Sequence, residues 1–156
     1  MKRYDYRDVL ATADGHFLAA DELFGAHRRM VALQLNTSGD IAFVTRLNAL
    51  TASAFVLQAI ALELGLKARL LKAGVSPGNV HHHRKLFDKL PESDRAVLIE
   101  AYNERWVANP VRPLPDALDM SANIFVQWRY RHEHFALTAN GGEMRFAFEV
   151  VTKALR

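Results

Sequence analysis

The densest group of chemically capable side chains is Trp128-Arg129-Tyr130-Arg131-His132-Glu133-His134, at the end of the apolar stretch Ala122 to Val126. An Arg followed five positions later by a His is either a catalytic constellation or the polar end of a buried helix. Histidine is the side chain whose ordinary titration lies near neutral pH, so His132 and His134 are suited to moving protons. A competing structural role is equally visible, because Glu133 stands one helical turn from Arg129, the spacing of an intrahelical ion pair. On a continuous helix Arg129 and His134 diverge by about 140°, so they converge only if the helix ends or a second subunit assists.

His81-His82-His83 raises the question of a metal, yet the chain has no H-E-x-x-H and consecutive imidazoles diverge. His132 and His134 would stand about 200° apart on an α-helix. No native metal site is expected, and no cofactor. Gly74-Val75-Ser76-Pro77-Gly78 matches the letters of a nucleophile elbow, but a helix is expected before it where that motif requires a strand. Pro77 also lacks the N–H that the oxyanion hole would need. Glu63 and Lys67 are spaced for a helix ion pair, or for a bridge to a neighbouring element.

The elements that must position these groups follow from periodicity. Val9, Ala13, Phe17, Ala20, Phe24 and Val31 mark one face of a helix from about Tyr6 to Leu33, which Gly15 and Gly25 could break or bend. Asn36-Thr37-Ser38-Gly39-Asp40 is a turn signal. Ile41 to Lys72 lacks proline and is apolar on nearly every face between Ala49 and Leu62, the profile of a central buried helix. Leu86, Phe87 and Leu90 mark a short amphipathic turn ending at Pro91. Ser93-Asp94 offers an N-cap to a helix reaching about Val107, with Val97, Leu98 and Tyr102 inward.

Pro110, Pro113 and Pro115 predict an extended loop, after which a helix from about Pro115 or Asp116 carries Met120, Ile124, Phe125, Trp128 and the titratable cluster. The end of the chain has two readings: a small hairpin over residues 135–148, turning at Asn140-Gly141-Gly142, or a helix from Glu143 to Leu155. The helical spacing of Phe146, Val150 or Val151, and Leu155 favours the helix. The expected architecture is all-α, an up-and-down bundle of four to five helices in one domain spanning residues 1–156.

Composition narrows the class. Half of the 156 residues are hydrophobic and there is no cysteine, which excludes a disulfide framework, thiolate zinc and a cysteine nucleophile. The apolar run from Ala49 to Leu62 is shorter than the ~20 residues of a membrane span, and the basic N-terminus does not read as a signal peptide. A cytoplasmic protein without membrane contact is expected. The net charge of +3 permits attraction to phosphate. Basic clusters occur at His27-Arg28-Arg29, Lys67 to Lys72, His81 to Lys85 and Arg129-Tyr130-Arg131, each equally readable as a solvated helix end.

Two segments together resemble HEPN domains. Ala61-Leu62-Glu63-Leu64-Gly65-Leu66-Lys67-Ala68, then His81 and Leu86-Phe87-Asp88-Lys89-Leu90-Pro91, is similar to their central helix and the segment after it. Phe125-Val126-Gln127-Trp128-Arg129-Tyr130 with Glu133 is similar to their later aromatic-Arg-Tyr helix, and the likeness covers about Thr51 to Glu133. His82 and His83 stand where that pattern has Asp and Leu.

The resemblance implies a small helical bundle that dimerises and binds RNA, a nucleotide or a partner protein. It also implies an R-x(4-6)-H motif, matched here by Arg129 and His134, used in that family for metal-independent RNA cleavage. In that role His134 exchanges the ribose proton and Arg129 stabilises charge developing on the phosphate. Tyr130, Arg131 and His132 would complete the ligand-binding surface. Two alternatives follow: an active toxin-type or defence endoribonuclease held by a nucleotidyltransferase-type antitoxin partner, and a protein-interaction bundle docking through Trp106 and the loop Asn109 to Pro115.

Overall fold

The computed structural model describes residues 5–33, 41–105, 112–122, 124 and 141–156. Among the described residues six helices pack together: α1 (Tyr6–Leu33), α2 (Ile41–Lys72), α3 (His83–Asp88), α4 (Glu92–Arg105), α5 (Leu114–Ala122) and α6 (Gly141–Lys153). Among the described residues there is no strand. The all-α bundle expected from the sequence is therefore found. Of the two readings for the end of the chain the helix holds: residues 141–148 are helical, so no hairpin forms across them.

α1 and α2 form a long antiparallel hairpin, with Leu10 beside Ala68 in one apolar cluster and Phe24 edge-on to Phe55 at 5.3 Å. α1 runs unbroken through Gly15 and Gly25. The main core gathers Ala13 and Phe17 of α1, Leu62, Leu66 and Leu70 of α2, and Leu86, Phe87, Leu98, Tyr102, Leu114, Leu118, Phe148 and Val151 from the later helices. Phe17 stacks on Phe148 with ring centroids 4.3 Å apart. Gly65 lets α2 and α6 approach closely, since a Cβ there would lie 3.1 Å from Thr152 Cγ2.

α2 by length and composition could cross a membrane, but it is also the helix around which the bundle is built. It ends in a Schellman turn. Gly74 N–H donates to Leu71 O at 3.0 Å and Val75 N–H to Leu70 O at 2.8 Å, while Gly74 takes φ +74°, which a Cβ would oppose. The Gly74-Val75-Ser76-Pro77-Gly78 letters are thus a helix terminus. Just before it, α2 caps another helix: Arg69 Nη1 donates to Val151 O at 3.1 Å and Lys72 Nζ to Ala154 O at 2.8 Å. Cations there satisfy carbonyls that α6 leaves open at its negative end. Burial pulls the Arg69 guanidinium below its usual range, with the charge of Asp94 opposing the shift.

Two sequence expectations change in α4. The helix starts at Glu92, immediately after Pro91, so Ser93 and Asp94 lie inside its first turn rather than capping it. Leu98 and Tyr102 are buried as expected, but Val97 faces solvent.

Candidate functional site

The sequence-predicted residues Arg129, Tyr130, Arg131, His132 and His134, with Trp128 and Glu133, lie outside the described residues, as does Trp106 of the alternative docking surface. What is placed is the ground on either side of the cluster. Ile124 is buried against Ala59, Met144 and Phe55. Gly141, at the other end, opens α6 so close to α2 that a Cβ would stand 3.1 Å from Phe55 Cε1 and 3.5 Å from Gln58 Oε1. Ile124 and Gly141 therefore meet the same few residues in the middle of α2.

This ground is unusually polar for a bundle interior. Gln58 is buried and its Oε1 accepts no hydrogen bond among the described residues. Glu143, in the first turn of α6, is also buried; burial raises its pKa, and Arg112, whose Nε is 3.9 Å from Glu143 Oε1, pulls the other way. A carboxylate in the first turn suits the positive end of the α6 dipole.

The three consecutive histidines reach three different places, which removes any shared ligand role. His81 Nδ1 is 3.0 Å from Glu63 Oε1, the oxygen that also accepts Lys67 Nζ at 2.7 Å. The Glu63–Lys67 pair is thus both an intrahelical bridge and a tie to the loop before α3. His82 Nε2 stands 3.6 Å from Asp119 Oδ1 of α5. His83 turns inward, with Nδ1 2.8 Å from Ser121 Oγ and Nε2 3.0 Å from Ala59 O. Among the described residues no group of three His, Cys, Asp or Glu could hold a metal ion.

The chemistry of the His83–Ser121 pair follows from its partners. A carbonyl only accepts, so Nε2 carries the proton and donates it to Ala59 O; Nδ1 is left to accept from the Ser121 hydroxyl. Burial lowers the His83 pKa to about 4, against the smaller raising influences of Glu63 and the Ala59 carbonyl and alongside a lowering by His82, so the ring is neutral at physiological pH. A Ser–His contact of this length has the geometry of a nucleophile and base. Both side chains are buried, however, and the far nitrogen rests on a backbone carbonyl rather than a carboxylate. Ser121 Oγ also lies 3.0 Å from Leu118 O, a second acceptor for its one proton. The pair is a polar clasp joining α2, α3 and α5.

In the sequence His83 reads as one of three equivalent histidines. A signal for its burial is nevertheless there: Leu86, Phe87 and Leu90 follow at steps of three, four and seven, which puts His83 on the apolar face of that turn.

Comparison of the chain with protein-family models, with curated proteins and with solved structures finds no match. The class defined by the described residues is an all-α helical bundle.

Proposed function

We propose that the chain is a HEPN-like helical domain that binds RNA or a nucleotide as a homodimer, through a basic surface carrying Arg129, Arg131 and His134, with Tyr130 and His132 beside them. The observation that supports this reading is the contact between the two sequence-separated parts of its first motif: Glu63 of the central helix meets His81 at 3.0 Å. Around that contact Leu62 and Leu66 share one core with Leu86, Phe87 and Leu90. A motif whose halves join in space is a stronger basis for the resemblance than the same letters in sequence alone.

The test is equilibrium binding to a single-stranded RNA oligonucleotide at several salt concentrations. Phosphate contacts by Arg129 and Arg131 make log K fall with log salt by about 0.7 for each phosphate neutralised on a single strand. A flat salt dependence rejects the reading.

A further inference from the structure

Three of the four basic clusters lie among the described residues, and the fold treats them differently. At the end of α2, Lys67 donates to Glu63 at 2.7 Å, Arg69 to Val151 O at 3.1 Å and Lys72 to Ala154 O at 2.8 Å, so those cations are spent inside the molecule. Around α3 the same holds. His81 reaches Glu63, His82 stands 3.6 Å from Asp119, His83 is buried, and Arg84 Nε donates to both oxygens of Asp88 at 2.9 and 3.1 Å. Only Lys85 of that run has no partner among the described residues.

His27-Arg28-Arg29 is the exception. Both arginines are exposed and neither makes a hydrogen bond or ion pair among the described residues, although the carboxylate of Glu22 stands two turns before Arg29 on the same side of α1. Their guanidinium groups nevertheless come together. Both fold back over Gly25, with Arg29 Nη1 3.3 Å and Arg28 Nη2 3.9 Å from the point where a Cβ would stand. Outside the backbone of α1 itself, no other atom of the described residues comes within 4 Å of that point. Two cationic forks converging on one open point fit a phosphate group, whose oxygens accept several N–H bonds at once.

The position on α1 sets this pair beside the start of α6, which follows the Arg129–His134 cluster in sequence. Asp21, one turn before Gly25, accepts from Arg145 Nη1 of α6 at 3.0 Å, and Phe24 Cζ lies 3.5 Å from the Cβ position of Gly141. Asp21, Gly25 and Arg28 step by four and three along one stripe, so the pair opens on the α6 side of α1. We infer that Arg28 and Arg29, closing over Gly25, clamp one backbone phosphate of a single-stranded RNA, a contact additional to Arg129 and Arg131. The inference rests on the RNA-binding reading above and extends its footprint onto α1.

The experiment is fluorescence anisotropy of a labelled oligouridylate with the full chain over a range of salt concentrations. Arg28→Gln/Arg29→Gln is expected to weaken binding about tenfold at low salt and to lower the salt slope by about 0.7, one phosphate fewer. Lys85→Gln/Lys153→Gln removes the same charge elsewhere and should leave the slope unchanged; an equal fall there makes the effect one of net charge and overturns the clamp. Gly25→Leu fills the seat at constant charge and should also weaken binding severalfold, with the far-ultraviolet dichroism of the wild type. Full affinity in Gly25→Leu or in the arginine pair overturns the inference, while a fall in Arg129→Ala/Arg131→Ala alone leaves the RNA reading standing. A wild type that does not bind, or binds with a flat salt dependence, rejects both. Displacement of the oligonucleotide by inorganic phosphate at constant ionic strength would make the pair a free-anion site, and loss of phosphatidylserine-vesicle capture instead of RNA binding would assign it to a lipid surface; either result rejects the inference.

Discussion

His83 and Ser121 meet in the core at 2.8 Å, the imidazole held from behind by the Ala59 carbonyl, and this contact ties the short helix α3 to α5 and α2. Because His83 folds as a neutral ring with its pKa lowered to about 4, the unfolded chain binds the proton more readily than the folded one between about pH 6.5 and 4. Stability should therefore rise with pH through that window and fall as the solution is acidified across it. The two pKa values set the His83 share at roughly 3 kcal/mol between the ends of the window. Urea unfolding at pH 7 and pH 4 measures the slope, and His83→Gln should flatten it. An equal slope in wild type and variant would show that other groups govern the acid response.

Removing one partner of the clasp should cost more than removing a surface hydrogen bond. Ser121→Ala leaves His83 Nδ1 buried without a donor, a loss of about 1–3 kcal/mol in unfolding free energy. By contrast, removing the exposed pair Arg84–Asp88, whose Nε–Oδ1 separation is 2.9 Å, by Asp88→Asn should change stability by no more than about 1 kcal/mol. Chemical denaturation of both variants under one buffer condition tests the ordering.

Three glycines should respond differently to a side chain. Gly15 is exposed on α1 with nothing within 4 Å of a Cβ, so Gly15→Ala should stabilise by about 0.5–1 kcal/mol through helix propensity. Gly65→Leu must force α2 away from Thr152, Val151 and Phe148 and should cost about 3 kcal/mol or prevent folding. Gly74→Ala, at φ +74°, should cost about 1 kcal/mol by straining the Schellman turn. Thermal unfolding of the three variants gives the ranking directly.

Arg129→Ala and Arg131→Ala should each weaken RNA binding and reduce its salt dependence, the slope falling by about 0.7 for every phosphate that is no longer neutralised. Incubation of the wild type with total RNA and chelator separates a binding module from a nuclease. Cleavage abolished in both Arg129→Ala and His134→Ala would assign those residues to catalysis. Intact RNA in the wild type would leave binding as the activity.

The helix content was legible because periodicity is a local property. The bounds of α1 and α2 follow from apolar spacing and from the turn residues between and after them, and the pairing of Glu63 with Lys67 follows from their four-residue step. The fate of α4 was not. Val97 and Leu98 are both aliphatic neighbours on a weakly patterned helix, and only the packing of other helices against Leu98 and Tyr102 leaves Val97 outside. The candidate cluster from Arg129 to His134 is read from residue types and spacing alone, since it lies outside the described residues.

By itself, then, the sequence determined an all-α chain with a long apolar central helix, because burying such a helix requires other helices around it. Tertiary structure alone decided that His81, His82 and His83 part company, reaching Glu63, Asp119 and the Ser121–Ala59 clasp respectively. Their partners lie as far as 38 positions away in the chain. Which of three identical side chains is desolvated depends on where those partners arrive, and desolvation is what makes His83 a neutral fixture of the core.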